Sequence, residues 1–228
     1  MASNHPHANH TQTDLSSLKG KILLVGLTGG IGSGKTVISD LLDKLGVGII
    51  DSDLISRELT SVGGEAIIPI KQTFGTEFID AQGALDRSRM RDLVFKDPQS
   101  RQKLEKITHP LIQQKTARQA FELAQSGVPY LVFVVPLLVE SEAWLNLIDY
   151  LVVVDCPEEI QIARVMQRNN MTRPEVERIL MAQVNREDRL AKANFVIENQ
   201  ASLEGLKLEV QSLHQKILQI KDERLSSS

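Results

Sequence analysis

The sequence predicts an α/β fold: a three-layer core on a five-stranded parallel sheet, with an inserted helical unit and a further helical segment near the C-terminus. Three observations carry this. Five short runs of Val, Ile and Leu lack polar alternation, as strands covered on both faces do. The intervals between them are long enough for the crossover helices that parallel neighbours require. The first run passes through a glycine-rich turn straight into a helical pattern.

Residues 1–18 are rich in Asn, His, Thr and Ser without an apolar period, so a disordered extension is expected. His5, His7 and His10 lack companion carboxylates and a fixed backbone, which favours a solvated tail over a metal site. One folded domain is expected over 19–221. Ile22–Leu27 is its first strand. Thr36–Leu45 reads as a helix stopped by Gly46, and Val47–Ile50 as the second strand. The interval from Asp53 to Gly127 exceeds one crossover, so about 54–127 is expected to be a helical insertion. Within it, Asp97-Pro98 has the form of an N-cap and first-turn proline, and Pro110–Gln125 reads as a helix. Tyr130–Val135, Tyr150–Val154 and Phe195–Ile197 supply the other strands. Thr172-Arg173-Pro174-Glu175 fits a capping box. The arginine-rich stretch Arg164 to Lys192 has few strong apolar faces, the pattern of a mobile lid or of a solvated helical hairpin. A lid over about 160–192 is the expectation carried forward. Residues 222–228 are expected to fray.

Bulk properties narrow the function. The 228 residues are 42% hydrophobic and 24% charged, enough apolar material for a sizeable core. A net charge of -3 and a pI near 6.0 give no support for a nucleic-acid partner or an anionic membrane surface. The longest apolar run, Leu131 to Val139, is interrupted by Pro136 and falls far short of the ~20 residues of a membrane helix. No signal-peptide core precedes Lys21. The single cysteine, Cys156, cannot pair within the chain, and a reducing, cytoplasmic setting is expected. The oligomeric state is left open.

The chemistry starts at Gly29–Thr36, which fits G-x-x-x-x-G-K-[ST] between a strand and a helix. Glycines let the backbone curl its N–H groups inward, and the helix N-terminus adds positive potential. The expected ligand is ATP with Mg²⁺, held by Gly30, Ile31, Gly32, Ser33, Gly34, Lys35, Thr36 and Val37. Lys35 is expected to reach the β- and γ-phosphates, and the Thr36 hydroxyl to bind the metal. Asp51-Ser52-Asp53 follows the second strand, at the sheet edge where ligands sit. A carboxylate there accepts the proton of an attacking hydroxyl, holds Mg²⁺ through water, or simply caps a helix. Asp155 ends the fourth strand, where a metal ligand and a cap are equal readings. Arg164 and Arg168, four apart, share a helix face that can point at a polyphosphate. Arg186, Arg189 and Lys192 add to that cluster. Asp80-Ala81-Gln82-Gly83 and Asn185-Arg186-Glu187-Asp188 resemble guanine-nucleotide motifs but stand in the wrong contexts. A small-molecule kinase leads, with a GTPase switch and another nucleoside or nucleotide kinase as rivals.

One family matches these motifs in order. Leu27-Thr28-Gly29-Gly30-Ile31-Gly32-Ser33-Gly34-Lys35, Ile50-Asp51-Ser52-Asp53, Leu85-Asp86-Arg87, His109-Pro110, Pro136-Leu137-Leu138-Val139-Glu140 and Gln161-x-x-Arg164 together resemble the dephospho-CoA kinase family, over about Ile22 to Asn199. The resemblance implies a P-loop kinase core, a helical CoA-side unit and a lid. It also implies transfer of the ATP γ-phosphate to the ribose 3′-hydroxyl of dephospho-CoA. Carried over by position, Asp53 is the base and Arg164 the lid residue stabilising the moving phosphoryl group. Arg57, His109 and Leu137 are implied beside the acceptor. The chain departs from the family pattern at Ser52, a harmless change, and at Thr36-Val37, where the metal-binding hydroxyl is kept; departures at Ala193-Asn194 and after Asn199 leave the adenine-side contacts open.

Overall fold

A computed structural model describes residues 14–200 and 202–226. Strand β1 (Leu24–Gly29) leads through the glycine-rich turn to helix α1 (Lys35–Asp43), then β2 (Gly48–Asp51). Helices α2 (Ser52–Leu59), α3 (Ile67–Phe74), α4 (Arg87–Lys96) and α5 (Pro98–Gln125) fill the long interval before β3 (Leu131–Val134). Helix α6 (Glu142–Leu147) precedes β4 (Tyr150–Asp155). Three short helices follow: α7 (Glu158–Asn169), α8 (Arg173–Met181) and α9 (Arg186–Ala191). Strand β5 (Phe195–Glu198) and helix α10 (Leu203–Ser226) complete the order.

The five strands form one sheet in the order β2-β3-β1-β4-β5, every pair parallel. Alternate strand residues enter opposite cores, as a pleated strand dictates. Leu24, Leu131, Phe133, Leu151 and Val153 pack with Ile55, Leu59, Ile70, Met90 and Ala120 of α2–α5. Val25, Leu27, Val132, Val134, Val152 and Val154 pack with Ile38 and Leu42 of α1 and with Leu206, Val210, Leu213 and Ile217 of α10. Both faces are covered, which is why the strand sequences show no polar alternation. Register brings the carboxyl ends together: Leu27 of β1 and Asp51 of β2 both lie beside Val134 of β3, and Gly29 lies beside Val154 of β4. That shared edge carries the site.

Three boundaries differ from expectation. Residues 14–18 are not a loose tail: Asp14 caps a 3-10 turn over Leu15–Leu18, and Leu18 is buried in the core. His5, His7 and His10 lie outside the described residues. The expected fraying from 222 is replaced by helix through Ser226, tied back where Arg224 meets the Asp149 carboxylate at 2.9 Å. Finally, α5 is one helix of 28 residues with Pro110 inside it, not a helix beginning there.

Candidate active site

The phosphate loop is built by backbone conformation. Gly34 sits at φ +96°, in the left-handed region, and a Cβ there would run into the Asn199 amide, so only glycine fits. Asn199 in turn donates from Nδ2 to the Ser33 carbonyl at 2.7 Å and holds the loop to the end of β5. The first turn of α1 has no side-chain cap. Ile31 N–H is taken by Gln183, Ser33 N–H by Gly30 and Val37 N–H by Gly34. Among the described residues no protein acceptor meets the amides of Gly32, Gly34, Lys35 and Thr36. Four such donors around a helix N-terminus form an anion cradle. Lys35 Nζ crosses it, donating to the Gly29 and Gly30 carbonyls at 2.8 and 3.3 Å.

Charge concentrates around that lysine. Burial pulls Lys35 down to about 8; Asp53 and Asp51 counter this, while Arg189 and Arg168 add to it. Asp53 shows the reciprocal effect. Desolvation, then the neighbouring Asp51, raise its carboxyl above the usual range, against Lys35 and Arg57. The structure therefore gathers Lys35, Asp51, Asp53, Arg57 and Arg168 into one electrostatic neighbourhood. Thr36 and Val37 are exposed on the first turn of α1.

The Asp51-Ser52-Asp53 segment settles one alternative. It does not stay extended: α2 starts at Ser52, and Asp51 Oδ1 accepts from the N–H groups of Asp53 and Leu54 at 2.8 and 3.1 Å. Asp51 is thus a helix cap, with Oδ2 left outside the cap. Asp53 projects from the first turn, and Arg57 follows one helical turn later.

Arg164, on α7, lies at the loop. Its guanidinium is 3.5 Å from the carbonyls of Gly32, Ser33 and Asn199 and 3.6 Å from the Cys156 sulfur. Arg168, one turn on, is exposed and donates to Asn169. Asp155 fits neither of its two readings. Both its oxygens are taken by Arg186, at 2.7 and 2.5 Å, which holds its carboxyl below the usual range. This pair removes Arg186 from the phosphate-facing set.

Arg189 emerges instead. It is buried, its guanidinium lies against Gly30, and it donates to the Val184 carbonyl at 2.6 Å. A fully alternating local pattern would not have singled it out from Arg186 and Lys192; its burial depends on contacts distant in sequence. Gln161, which the sequence offers only as one end of the Gln161-x-x-Arg164 motif, also gains a place at the loop. Its Nε2 donates to the Cys156 carbonyl, and its buried Oε1, without a protein partner, lies against Gly30. Gly30 is glycine because this side chain and Arg189 approach so closely.

Two acceptor-side candidates differ in what supports them. Leu137 follows Pro136 at the exit of β3, half-exposed and at φ 57°, a left-handed conformation that leucine rarely adopts. His109 is exposed on α5, and among the described residues no hydrogen bond or ion pair ties it to the cluster. Helix α5 does reach α2, through Lys115 and Glu58 at 2.6 Å. The guanine-type motifs are local structure: Asn185 caps α9 and Asp80 caps a turn. Asn194 bridges to Leu151 across the sheet, accepting its N–H at 2.7 Å.

Comparison with known proteins finds relatives over most of the chain. The family described as dephospho-CoA kinase matches residues 23–205. A dephospho-CoA kinase of Burkholderia pseudomallei is 53% identical over 196 residues, 86% of this chain and 95% of the relative. One of Dechloromonas aromatica is 46% identical over 205 residues, 90% of this chain and 98% of the relative. Among solved structures, a Thermus thermophilus protein superposes with a TM-score of 0.72 at 30% identity, covering 86% of this chain and 97% of that one. A dephospho-CoA kinase from Campylobacter jejuni gives 0.66 at 26% identity, with the same coverage of 86% and 97%.

Proposed function

The chain belongs to the dephospho-CoA kinase family, and on that premise we infer that it transfers the γ-phosphoryl group of ATP to the ribose 3′-hydroxyl of dephospho-CoA, giving coenzyme A and ADP. The observation that carries the reading is the pairing of an open amide cradle with a carboxylate, Asp53, on the same sheet edge. Phosphoryl transfer needs little covalent help from a protein; positioning and charge do the work.

The proposed roles combine the family resemblance with the geometry above. The free amides of Gly32, Gly34, Lys35 and Thr36 seat the phosphates. Lys35 bridges toward the phosphoryl group that moves, and Arg164 and Arg168 approach it from the lid. Asp53 orients the ribose hydroxyl and accepts its proton as the new P–O bond forms and the bond to the leaving ADP oxygen breaks. The family resemblance assigns Arg57, His109 and Leu137 to the acceptor. The Thr36 hydroxyl directly, and Asp51 through water, would hold Mg²⁺, which prefers oxygen donors. When bound, Mg²⁺ would neutralise charge on the β- and γ-phosphate oxygens. Among the described residues no helix is long and apolar enough to cross a membrane. The single, buried thiol suits a cytoplasmic enzyme.

The deciding assay is ADP release from ATP with dephospho-CoA, compared with a panel of nucleosides and nucleoside monophosphates. Turnover with dephospho-CoA alone is expected. Equal turnover with a nucleoside monophosphate, or hydrolysis of GTP without any acceptor, would replace this reading.

A further inference from the structure

The connector between α8 and α9 is fastened at points that belong to different parts of the site. Gln183 Oε1 accepts the Ile31 N–H at 3.1 Å, across 152 residues of sequence. Val184 N–H donates to Glu140 Oε1 at 3.0 Å, and the Val184 carbonyl accepts from Arg189 at 2.6 Å. Ile31 belongs to the phosphate loop. Glu140 ends the short turn that begins at the strained Leu137. A further tie, Lys192 Nζ to the Val139 carbonyl at 3.2 Å, holds the end of α9 to that same turn.

The connector is not packed on all sides. It borders a cavity of about 470 Å³ whose lining includes Gln161, Gln183, Val184 and Arg189. It therefore has room to shift on that side, and its position is set by these polar ties together with Val184, which packs against the core shared with α2–α5. Moving it disturbs the phosphate loop and the Leu137 turn together.

We propose that Glu140 and Gln183 are positioning residues that strap this connector across the nucleotide loop and the acceptor-side turn, so that filling one half of the site tightens binding in the other. The proposal rests on the reading that the Leu137 turn faces dephospho-CoA. Glu140 acts through Val184, and Gln183 through Ile31. A nucleotide that fixes the loop fixes the connector through Gln183, and the connector fixes the turn through Glu140. Such coupling is reciprocal: the acceptor tightens nucleotide binding by the same factor.

Calorimetry on the full chain tests this, titrating dephospho-CoA with and without the non-hydrolysable nucleotide AMP-PNP and Mg²⁺. In the unaltered protein the nucleotide should tighten acceptor binding at least ~5-fold, the low end of ordinary coupling. Glu140→Ala and Gln183→Ala should cut that to under ~2-fold while binding of AMP-PNP alone stays within ~3-fold. Glu140→Gln keeps an oxygen for the Val184 N–H and should keep the coupling. Circular dichroism confirms that each variant is folded. Undiminished coupling in Glu140→Ala, or its absence from the unaltered protein, overturns the proposal. So does a Glu140→Gln that behaves like alanine, because the charge beside Arg189 would then be responsible. If the unaltered protein binds no dephospho-CoA in either state, the acceptor assignment itself fails, an outcome distinct from uncoupled binding.

Discussion

Burial brings the Lys35 ammonium from an ordinary 10.5 down to about 8, so in the free protein it is partly neutral in mildly alkaline solution. A triphosphate beside it restores the proton. ATP binding should therefore take up protons around and above pH 8, and affinity should fall as pH rises through that range. Calorimetry in buffers of different ionisation enthalpy measures the uptake. Lys35→Arg should abolish it, because a guanidinium stays charged; uptake that persists in this variant would place the titrating group elsewhere. For Asp53 the shift runs the other way. Its raised carboxyl must be ionised to accept the hydroxyl proton, so kcat should fall on the acid side as pH drops through that raised value. Asp53→Asn should lower kcat by about 100-fold or more with ATP–Mg²⁺ affinity little changed. Much weaker ATP–Mg²⁺ binding would make Asp53 chiefly a metal-shell residue. Leu137 carries a left-handed backbone that costs a β-carbon residue roughly 1–2 kcal/mol. Leu137→Gly removes that strain, so the thermal midpoint should hold or rise while KM for dephospho-CoA increases several-fold. A lower midpoint with unchanged KM would make Leu137 a packing residue only.

Helix α2 shows how one residue serves an element. Asp51 receives two N–H groups of its first turn, and losing such a cap costs about 1 kcal/mol. Asparagine caps as well as aspartate but carries no charge. Asp51→Asn should therefore keep stability and shift the Mg²⁺ titration of kcat to higher concentration, whereas Asp51→Ala should also lower the denaturation midpoint. If Asp51→Asn leaves the Mg²⁺ titration unmoved, capping is the residue's whole role. The helices also mark what the sequence conceals. Pro110 reads locally as a breaker, since it lacks an N–H and crowds the preceding turn. Yet Leu104, Ile107, Leu111 and Ile112 on both sides of it pack against one core, and this packing carries α5 through the proline. The α10 terminus reads as frayed for a similar reason. Lys221-Asp222-Glu223-Arg224 has the look of solvated charge, but Arg224 has a partner 75 residues earlier.

At the scale of the molecule, what was legible was what is local. Unalternated strands, the loop glycines, the Lys-Thr pair and the Asp pair all announce themselves within a few residues, and the sheet and nucleotide cradle follow. Pairings between distant segments had no such signature. Asp155 reaches Arg186 over 31 residues, and Gln183 reaches Ile31 over 152. Arg189 looked no different from its charged neighbours until the fold buried it. Cys156 closes the case at this scale. Its thiol is fully buried, 3.6 Å from the Arg164 guanidinium that also reaches the Gly32 and Ser33 carbonyls of the loop, and burial pushes it above the ordinary thiol range. An alkylating reagent can reach it only when that region opens, and the chain holds no second thiol to confuse the count. The protein thus carries its own clock for breathing at the nucleotide site. The rate of alkylation, followed by mass, should drop when ATP is added and rise in Arg164→Ala; a rate indifferent to nucleotide would mean that this opening bypasses the phosphate loop.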